Sequence, residues 1–274
     1  MGSVSDNFFT LDDGNQLYYE YSATFPNRRT VVFLNGLSQS TLAWAAVAPV
    51  IGKEMNVLLV DLVFQGRSSA NGEFRSYNQH AKDIVQLLMH LKIDQPIVCG
   101  LSYGSAVAQH ALVQYPDFFC GGLLLSTFAH NTAVFNAIGE SWTAALLAGG
   151  YPLMLEVMLP VVLGASYFEK PLIPIQTLKE SRVTANPPSE NLLRLMKATE
   201  LRGDYRGRLP EIKVPVTIVQ GREDVLIPID VAEHVANTIP KGKLIVLDNA
   251  GHTLNLEAIP QLNQIIKEFC ASID

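Results

Sequence analysis

Short apolar runs alternate with amphipathic stretches along most of this chain. Each run is only a few residues long and rich in β-branched side chains, which is typical of strands buried on both faces of a sheet. They lie at residues 31–34, 57–62, 96–99, 122–125, 214–219 and 244–247. Patterns of helical period fall between most of them, at residues 42–54, 77–91, 105–114, 231–238 and 258–269. Strands that alternate with helices predict an α/β fold with a doubly wound, mostly parallel sheet.

The N-terminal part follows a different pattern. Two strand-like segments, residues 8–10 and 16–23, flank the turn sequence Asp12-Asp13-Gly14-Asn15. A short turn of this composition between two such segments predicts an antiparallel hairpin ahead of the parallel sheet.

The alternation of strand and helix stops between about residues 130 and 209. Helix-like segments, limited in length by prolines at 152, 160, 171 and 174, replace a single crossover helix. We therefore expect an α/β core from residues 1–129 and 210–274, with a helical cap at 130–209 inserted after the sixth strand. Open α/β sheets hold their sites beyond the carboxyl ends of the strands, and the cap is expected there.

One stretch of the insertion, residues 144–165, is nearly all apolar and about long enough to span a bilayer. Pro152, Glu156, Pro160 and the pair Gly149-Gly150 interrupt it. These breaks favour two short helices that line an apolar cavity, and no membrane span is expected.

A candidate nucleophile lies where a strand meets a helix. An apolar run leads into Gly100-Leu101-Ser102-Tyr103-Gly104, and a helix rich in small residues follows. This Gly-x-Ser-x-Gly pattern is typical of a nucleophile elbow, in which a sharp turn raises the serine hydroxyl above the sheet. Glycine is needed on both sides because the two arms of the turn approach closely, and the helix N-terminus favours developing negative charge.

A serine hydroxyl is a weak nucleophile, so it needs a general base that a third group orients. Of the six histidines, His252 follows the last predicted strand on a loop, whereas the others lie in helical patterns or at the start of the insertion. Asp224 follows the preceding strand and is the favoured acid. Glu223 and Asp230 are its rivals, but Glu223 would point elsewhere and Asp230 precedes a helix, as an N-cap does.

Four motifs stand near the ends of predicted strands: Phe33-Leu34-Asn35-Gly36-Leu37, Gly100-Leu101-Ser102-Tyr103-Gly104, Gly221-Arg222-Glu223-Asp224, and Ala250-Gly251-His252 with Glu257 and Pro260 after it. Together they closely resemble the α/β-hydrolase superfamily, over essentially the whole chain outside the insertion. The resemblance implies a sheet of about eight strands, a helical cap, and an oxyanion hole made by the backbone N–H groups of Leu37 and Tyr103. Two such donors are typically worth about 3 kcal/mol each.

The chain departs from the pattern of this superfamily at two positions. Many members have His-Gly after the third strand, where this chain has Asn35-Gly36. Many have Asp-x-Pro-Gly-x-Gly-x-Ser, where this chain has bulky Phe64 in the usual glycine position. Both changes are similar to those in the transferases that join two hydroxyacyl chains into the lipid precursor of rhamnolipids.

These residues leave three functions open. The leading hypothesis is a serine hydrolase that cleaves carboxylic esters or thioesters through an acyl-enzyme on Ser102. An acyltransferase would keep the acyl-enzyme and replace water with another hydroxyl, and a non-catalytic protein would hold a small ligand under the cap. Apolar residues of the expected cap, Trp142, Leu146, Met154, Met158 and Phe168, suggest an acyl chain or another apolar substrate. The candidate pocket residues are Asn35, Phe64, Trp142, Leu146, Met154 and Met158.

Composition excludes several classes of partner. A net charge of -6 without runs of like charge argues against nucleic acid. Neither a nucleotide-binding glycine loop nor a cluster of metal ligands appears, so no cofactor and no metal are expected. The three cysteines form no disulfide framework, and residues 1–6 lack an export or myristoylation signal. The sequence thus favours a cytoplasmic protein with a small-molecule ester or thioester substrate, and leaves its oligomeric state open.

Overall fold

An eight-stranded sheet forms the centre of the computed structural model, which describes residues 7–185 and 187–273. Its strands, numbered β1 to β8 along the chain, are Phe8–Thr10, Gln16–Ser22, Thr30–Leu34, Asn56–Val60, Ile97–Leu101, Gly121–Leu125, Val216–Gly221 and Gly242–Leu247. The order in the sheet is β1-β2-β4-β3-β5-β6-β7-β8. Pairing is antiparallel for β1 with β2 and for β2 with β4, and parallel elsewhere. The predicted hairpin and the predicted doubly wound sheet are both confirmed.

The α-helices, numbered α1 to α10, are Ala48–Ile51, Tyr77–His90, Tyr103–Gln114, Ala133–Val162, Ala165–Glu169, Ile175–Ala185, Ser189–Leu201, Ile229–Thr238, Leu254–Glu257 and Ile259–Ile273. Two 3-10 helices lie at Thr41–Trp44 and Arg206–Glu211. The single helix predicted at residues 42–54 is therefore wrong. Pro49 has no N–H to donate, so it occupies the first turn of short α1 rather than the interior of a longer helix.

The core lies on both faces of the sheet, as the continuous apolar strands predicted. Alternate residues of β3 point to opposite faces, so Val32 and Leu34 pack in one cluster while Val31 and Phe33 pack in the other. Helices α2, α3 and α8 cover the first face, and α1 and α10 cover the second. Strands buried on both faces hold the loops at their carboxyl ends in fixed positions.

Helices α4 to α7, here called the inserted helices, occupy the connection between β6 and β7. A helical insertion after the sixth strand was expected, whereas the exact cap boundaries at 130 and 209 remain a prediction. The N-terminal segment 1–6, on which the expectation about export signals rests, lies outside the described residues.

Helix α4 is long and apolar enough, by length and composition alone, to cross a membrane, and 39% of its most apolar window is buried. Its backbone leaves helical geometry at Gly149 and at Gly150, where φ is 67°. The prolines do not end the helix: Pro152 falls in the turn after this kink, and Pro160 lies near the C-terminus. The buried side of α4 packs in the main core cluster, which accounts for its apolar character.

Candidate active site

Ser102 lies on a sharp turn between β5 and α3, with φ 52° and ψ −108°. Its N–H donates to Leu125 O at 2.9 Å, which anchors the turn to β6. A Cβ on Gly100 would lie 2.3 Å from Gly104 O, and a Cβ on Gly104 would lie 2.4 Å from Leu34 O. Both glycines are thus required by close backbone contact. A serine with a positive φ, held between two such glycines, has the backbone geometry of a nucleophile elbow.

Asp224 and His252 meet although they are far apart in sequence. His252 Nδ1 lies 2.7 Å from Asp224 Oδ2, and both side chains are buried. Asp224 is itself held by the backbone N–H groups of Leu226 and Ile227, at 3.0 and 2.8 Å, and by the side-chain amide of Gln220 at 2.8 Å. With Nδ1–H donated to the carboxylate, Nε2 is the nitrogen left to accept a proton.

The two rival carboxylates have other contacts. Glu223 accepts hydrogen bonds from the backbone N–H of Ser166, at 2.8 Å, and from its hydroxyl. It therefore ties the loop after β7 to the start of α5. Asp230 is exposed in the first turn of α8, whose N-cap is Pro228. Only Asp224, among these three acids, contacts His252.

The loop after β3 brings Leu37 to the same site. Gln65 Nε2 donates to Gly36 O at 2.9 Å, and Gln39 Oε1 accepts from Gly36 N–H at 3.2 Å, so side chains on both sides fix this loop. Within the described part of the chain, the N–H groups of Leu37 and Tyr103 donate to no other recorded partner. Leu37 and Tyr103 both line a cavity that also contains Ser102.

Asn35 lies behind that loop and is fully buried. Its amide donates to Val60 O at 3.0 Å and to Asp61 Oδ1 at 3.1 Å, and its oxygen accepts from Trp44 Nε1 at 2.9 Å. Asp61 also accepts from two backbone N–H groups, and burial raises the pKa of its carboxyl. This network supports the loop from behind and has no contact with the space above Ser102.

Glu257 holds the His252 loop. Its carboxylate accepts from the backbone N–H groups of Gly251 and Thr253, at 2.9 Å each, and from Gly164 at 2.8 Å. Burial is the largest influence on the Glu257 pKa and raises it. In the sequence, Glu257 stands out only through the family resemblance. Its contact with the inserted helices depends on a long-range fold that no local pattern reveals.

Two cavities open beside Ser102. The smaller has a volume of about 70 Å³ and a wall that includes Leu37, Ser102 and His252. The larger has a volume of about 980 Å³ and includes Leu37, Ser102 and Tyr103. The inserted helices supply much of both walls. Trp142 is part of the wall of both cavities.

The candidate pocket residues are placed differently from one another. Trp142 lines both cavities and Met158 lines the smaller one. Leu146 and Met154 are buried on α4 but line neither of these two cavities. Asn35 and Phe64 are also buried in the core away from both, and Arg194 lies over the Phe64 ring at 5.4 Å. Within residues 7–185 and 187–273, no group of three or more His, Cys, Asp or Glu side chains is arranged to hold a metal ion.

The chain is similar in sequence to known hydrolases. A family model described as serine aminopeptidase, S33 matches residues 26–258. Monoacylglycerol lipase ABHD6 of Rattus norvegicus is 24% identical over 270 residues, which are 94% of this chain and 80% of that protein.

Two solved structures share the fold over nearly the full length. MGS-M2, an α/β hydrolase enzyme from a Medee basin deep-sea metagenome library, has a TM-score of 0.88 and 24% identity, with 96% of each chain covered. A thermophilic esterase from Thermogutta terrifontis, solved with malate bound, has a TM-score of 0.85 and 23% identity, again with 96% of each chain covered. At these identities the likeness establishes the fold.

Proposed function

Because this chain belongs to the α/β-hydrolase superfamily, in the family described as serine aminopeptidase S33, we propose that it is a serine hydrolase of carboxylic esters or thioesters. The observation that carries the proposal is the buried pair of Asp224 and His252, 2.7 Å apart, in a cavity wall that also contains the strained Ser102. A base oriented by a carboxylate beside a raised serine is the arrangement that nucleophilic acyl transfer needs.

The proposed reaction has two steps, acylation of Ser102 and hydrolysis of the acyl-enzyme, and His252 transfers the proton in both. Ser102 Oγ forms a bond to the acyl carbon while its proton passes to His252 Nε2, and that proton then goes to the leaving oxygen or sulfur as its bond to the acyl carbon breaks. Water then attacks the acyl-enzyme, giving its proton to His252 and releasing the acid as Ser102 regains a proton. The N–H groups of Leu37 and Tyr103 donate to the carbonyl oxygen when it carries negative charge.

Esterase and lipase names among the relatives support an ester as the substrate. Burial of Asn35 and Phe64 away from both cavities removes one argument for transfer to another hydroxyl, since neither side chain narrows the path of water to Ser102. Hydrolysis is therefore the proposed outcome.

Labelling with a fluorophosphonate tests this proposal. Intact-mass spectra should show one adduct on the wild-type protein and none on Ser102→Ala. Ser38→Ala is the matched control, because Ser38 lines the same cavity and should leave the adduct in place. An adduct that persists on Ser102→Ala, or the absence of hydrolysis across p-nitrophenyl esters of graded length, would remove the proposal.

A further inference from the structure

Ser102 lies between two cavities that differ in size and in the catalytic groups they contain. The small cavity contains His252 and lacks Tyr103, whereas the large cavity contains Tyr103 and lacks His252. Leu37, Ser102, Trp142 and Leu226 belong to both walls. A substrate whose carbonyl lies above Ser102 would therefore place one half in each cavity.

The position of His252 decides which half enters which cavity. In the tetrahedral intermediate on Ser102, the proton on His252 Nε2 must reach the leaving oxygen, so that oxygen lies beside His252. The acyl chain leaves the same carbon in another direction. On this chemistry the small cavity is the leaving-group side and the large cavity is the acyl side.

Arg182 is the one Lys, Arg, Asp or Glu residue in the wall of the small cavity, within the described part of the chain. Arg182, on α6, is half-buried there among leucines, a valine and a methionine. Leu178, one turn earlier, is buried and lines the same cavity, so this face of α6 looks inward. Lys179, the residue after Leu178, lines neither cavity and forms a salt bridge with Glu156.

The Arg182 guanidinium has no recorded hydrogen-bond or carboxylate partner in residues 7–185 and 187–273. A guanidinium against an apolar wall loses part of its hydration, and an anion that accepts its forked N–H groups restores the lost interactions. The arrangement thus resembles half of an ion pair whose other half comes with a ligand.

We propose that the small cavity receives a short leaving alcohol that carries a carboxylate, with Arg182 as the residue that selects it, and that the large cavity receives the acyl group. This inference rests on the proposed ester hydrolysis and adds a substrate class to it. Since a water-sized site takes roughly 10–15 Å³, a cavity of about 70 Å³ holds on the order of five to seven such sites. A 2-hydroxy acid such as glycolate falls in that range.

The large cavity has the surface that an amphipathic acyl group requires. Its wall includes the buried or half-buried apolar side chains of Phe128, Phe135, Leu193 and Met196. Its exposed members include four charged side chains, Glu140, Lys197, Glu200 and Asp204, together with apolar Leu147. An acyl chain with both apolar and polar parts matches this wall.

A pair of isosteric esters tests the role of Arg182. Octanoyl glycolate and octanoyl glycolamide have the same acyl group and nearly the same shape, but only glycolate carries a negative charge. We expect the wild type to prefer glycolate by about tenfold or more in kcat/KM, in line with one charged hydrogen-bonded contact. Arg182→Gln should lose that preference through a lower kcat/KM on glycolate, and Arg182→Lys should keep part of it.

Lys179→Gln is the matched control on the same helix, and it should keep the full preference. A second arm holds the acyl group fixed and lengthens the alcohol from methanol to propanol to octanol, with a steep loss of kcat/KM expected for octanol. Equal rates on glycolate and glycolamide, unchanged preference in Arg182→Gln, or undiminished octyl ester turnover would overturn the inference alone. Failure to hydrolyse any ester, with no fluorophosphonate adduct, would overturn the proposed function and this inference with it.

Discussion

Glu257 and Gly164 are joined by a hydrogen bond of 2.8 Å from the Gly164 N–H to the Glu257 carboxylate, across 93 positions of sequence. The same carboxylate accepts from the N–H groups on either side of His252, those of Gly251 and Thr253. One half-buried side chain therefore connects the histidine loop to the end of α4, and it links the position of His252 to that of the inserted helices.

We expect Glu257→Ala to reduce turnover by at least tenfold, because three buried backbone donors lose their acceptor and the His252 loop is released. The same loss should lower the free energy of unfolding by about 1–3 kcal/mol. Glu257→Gln retains one acceptor oxygen, so its turnover and its free energy of unfolding should lie between those of the wild type and of Glu257→Ala. Fluorophosphonate labelling well below the melting temperature separates misplacement of the base from unfolding.

Glu268→Gln is the control for charge removal, since Glu268 is exposed on α10 and contacts only Gln264 among the recorded partners. It should change neither the labelling rate nor the stability. A Glu257→Ala protein that melts early yet labels at the wild-type rate would show that Glu257 stabilises the fold without positioning His252.

Asp224→Asn should lower turnover by about 10⁴-fold, the loss seen when the orienting carboxylate of a serine protease triad is replaced. The amide donates where the carboxylate accepted, so the imidazole is held in the wrong tautomer. Glu223→Gln is the matched comparison one residue away: it should leave turnover within a few-fold of wild type, because Glu223 contacts Ser166 and not His252. Steady-state kinetics on both variants provide the measurement. If Glu223→Gln were inactive while Asp224→Asn remained active, Glu223 rather than Asp224 would be the acid that orients His252.

The sequence predicted the elbow because the need for Gly100 and Gly104 is local: both glycines are dictated by backbone approach within the turn. The position of Asp224 could also be predicted from the sequence, since an acid that follows a parallel strand lies at the edge of the sheet that holds the site, whatever the details of the loop. The histidine followed from the same reasoning. These predictions depend on strand order alone.

Other features depend on contacts between distant segments, and the sequence did not reveal them. The role of Glu257 requires Gly164 to lie beside it, and the place of Arg182 requires α6 to fold over Ser102. Asn35 and Phe64 stood near the oxyanion loops in sequence, but burial takes their side chains away from both cavities. Sequence proximity to a catalytic loop does not decide which face a side chain occupies.

Acid should destabilise this protein through two buried histidines. Burial lowers the pKa of His80 to about 3 and that of His110 to about 2. In the unfolded chain both accept a proton below about pH 6.5. The unfolded state therefore binds more protons, and the free energy of unfolding falls as pH drops from 6.5 toward 3, by about 1.4 kcal/mol per pH unit for each histidine.

His80→Leu should reduce the slope of the free energy of unfolding against pH by the amount that corresponds to about one proton. Urea unfolding at several pH values between about 6 and 4 measures this slope. The comparison is His90→Gln, at an exposed histidine, which should leave the slope unchanged. Equal slopes for wild type and His80→Leu would mean that His80 takes up its proton in the folded state as readily as in the unfolded chain.

Trp142 is the largest of the four side chains that line both cavities. We expect Trp142→Ala to join them and to raise the ratio of octyl to methyl ester turnover by about tenfold or more. Loss of a buried indole should also lower the free energy of unfolding by about 3–5 kcal/mol. Assays are therefore made well below the melting temperature, and Trp142→Phe provides a milder variant. Leu193→Ala, which enlarges only the large cavity, should leave the ratio unchanged.

Water rather than a second hydroxyacyl chain should resolve the acyl-enzyme. An acceptor must bring its hydroxyl beside His252, where the leaving group departed, and the cavity there has a volume of only about 70 Å³. Octanoyl N-acetylcysteamine thioester, supplied with 3-hydroxyoctanoate, should give free octanoate in large excess over the acyl–acyl ester by mass spectrometry. Methanol, which fits the small cavity, should yield methyl octanoate under the same conditions and so shows that transfer is detectable. A predominant acyl–acyl ester would make acyl transfer the reaction and would also contradict the assignment of the small cavity to the leaving group.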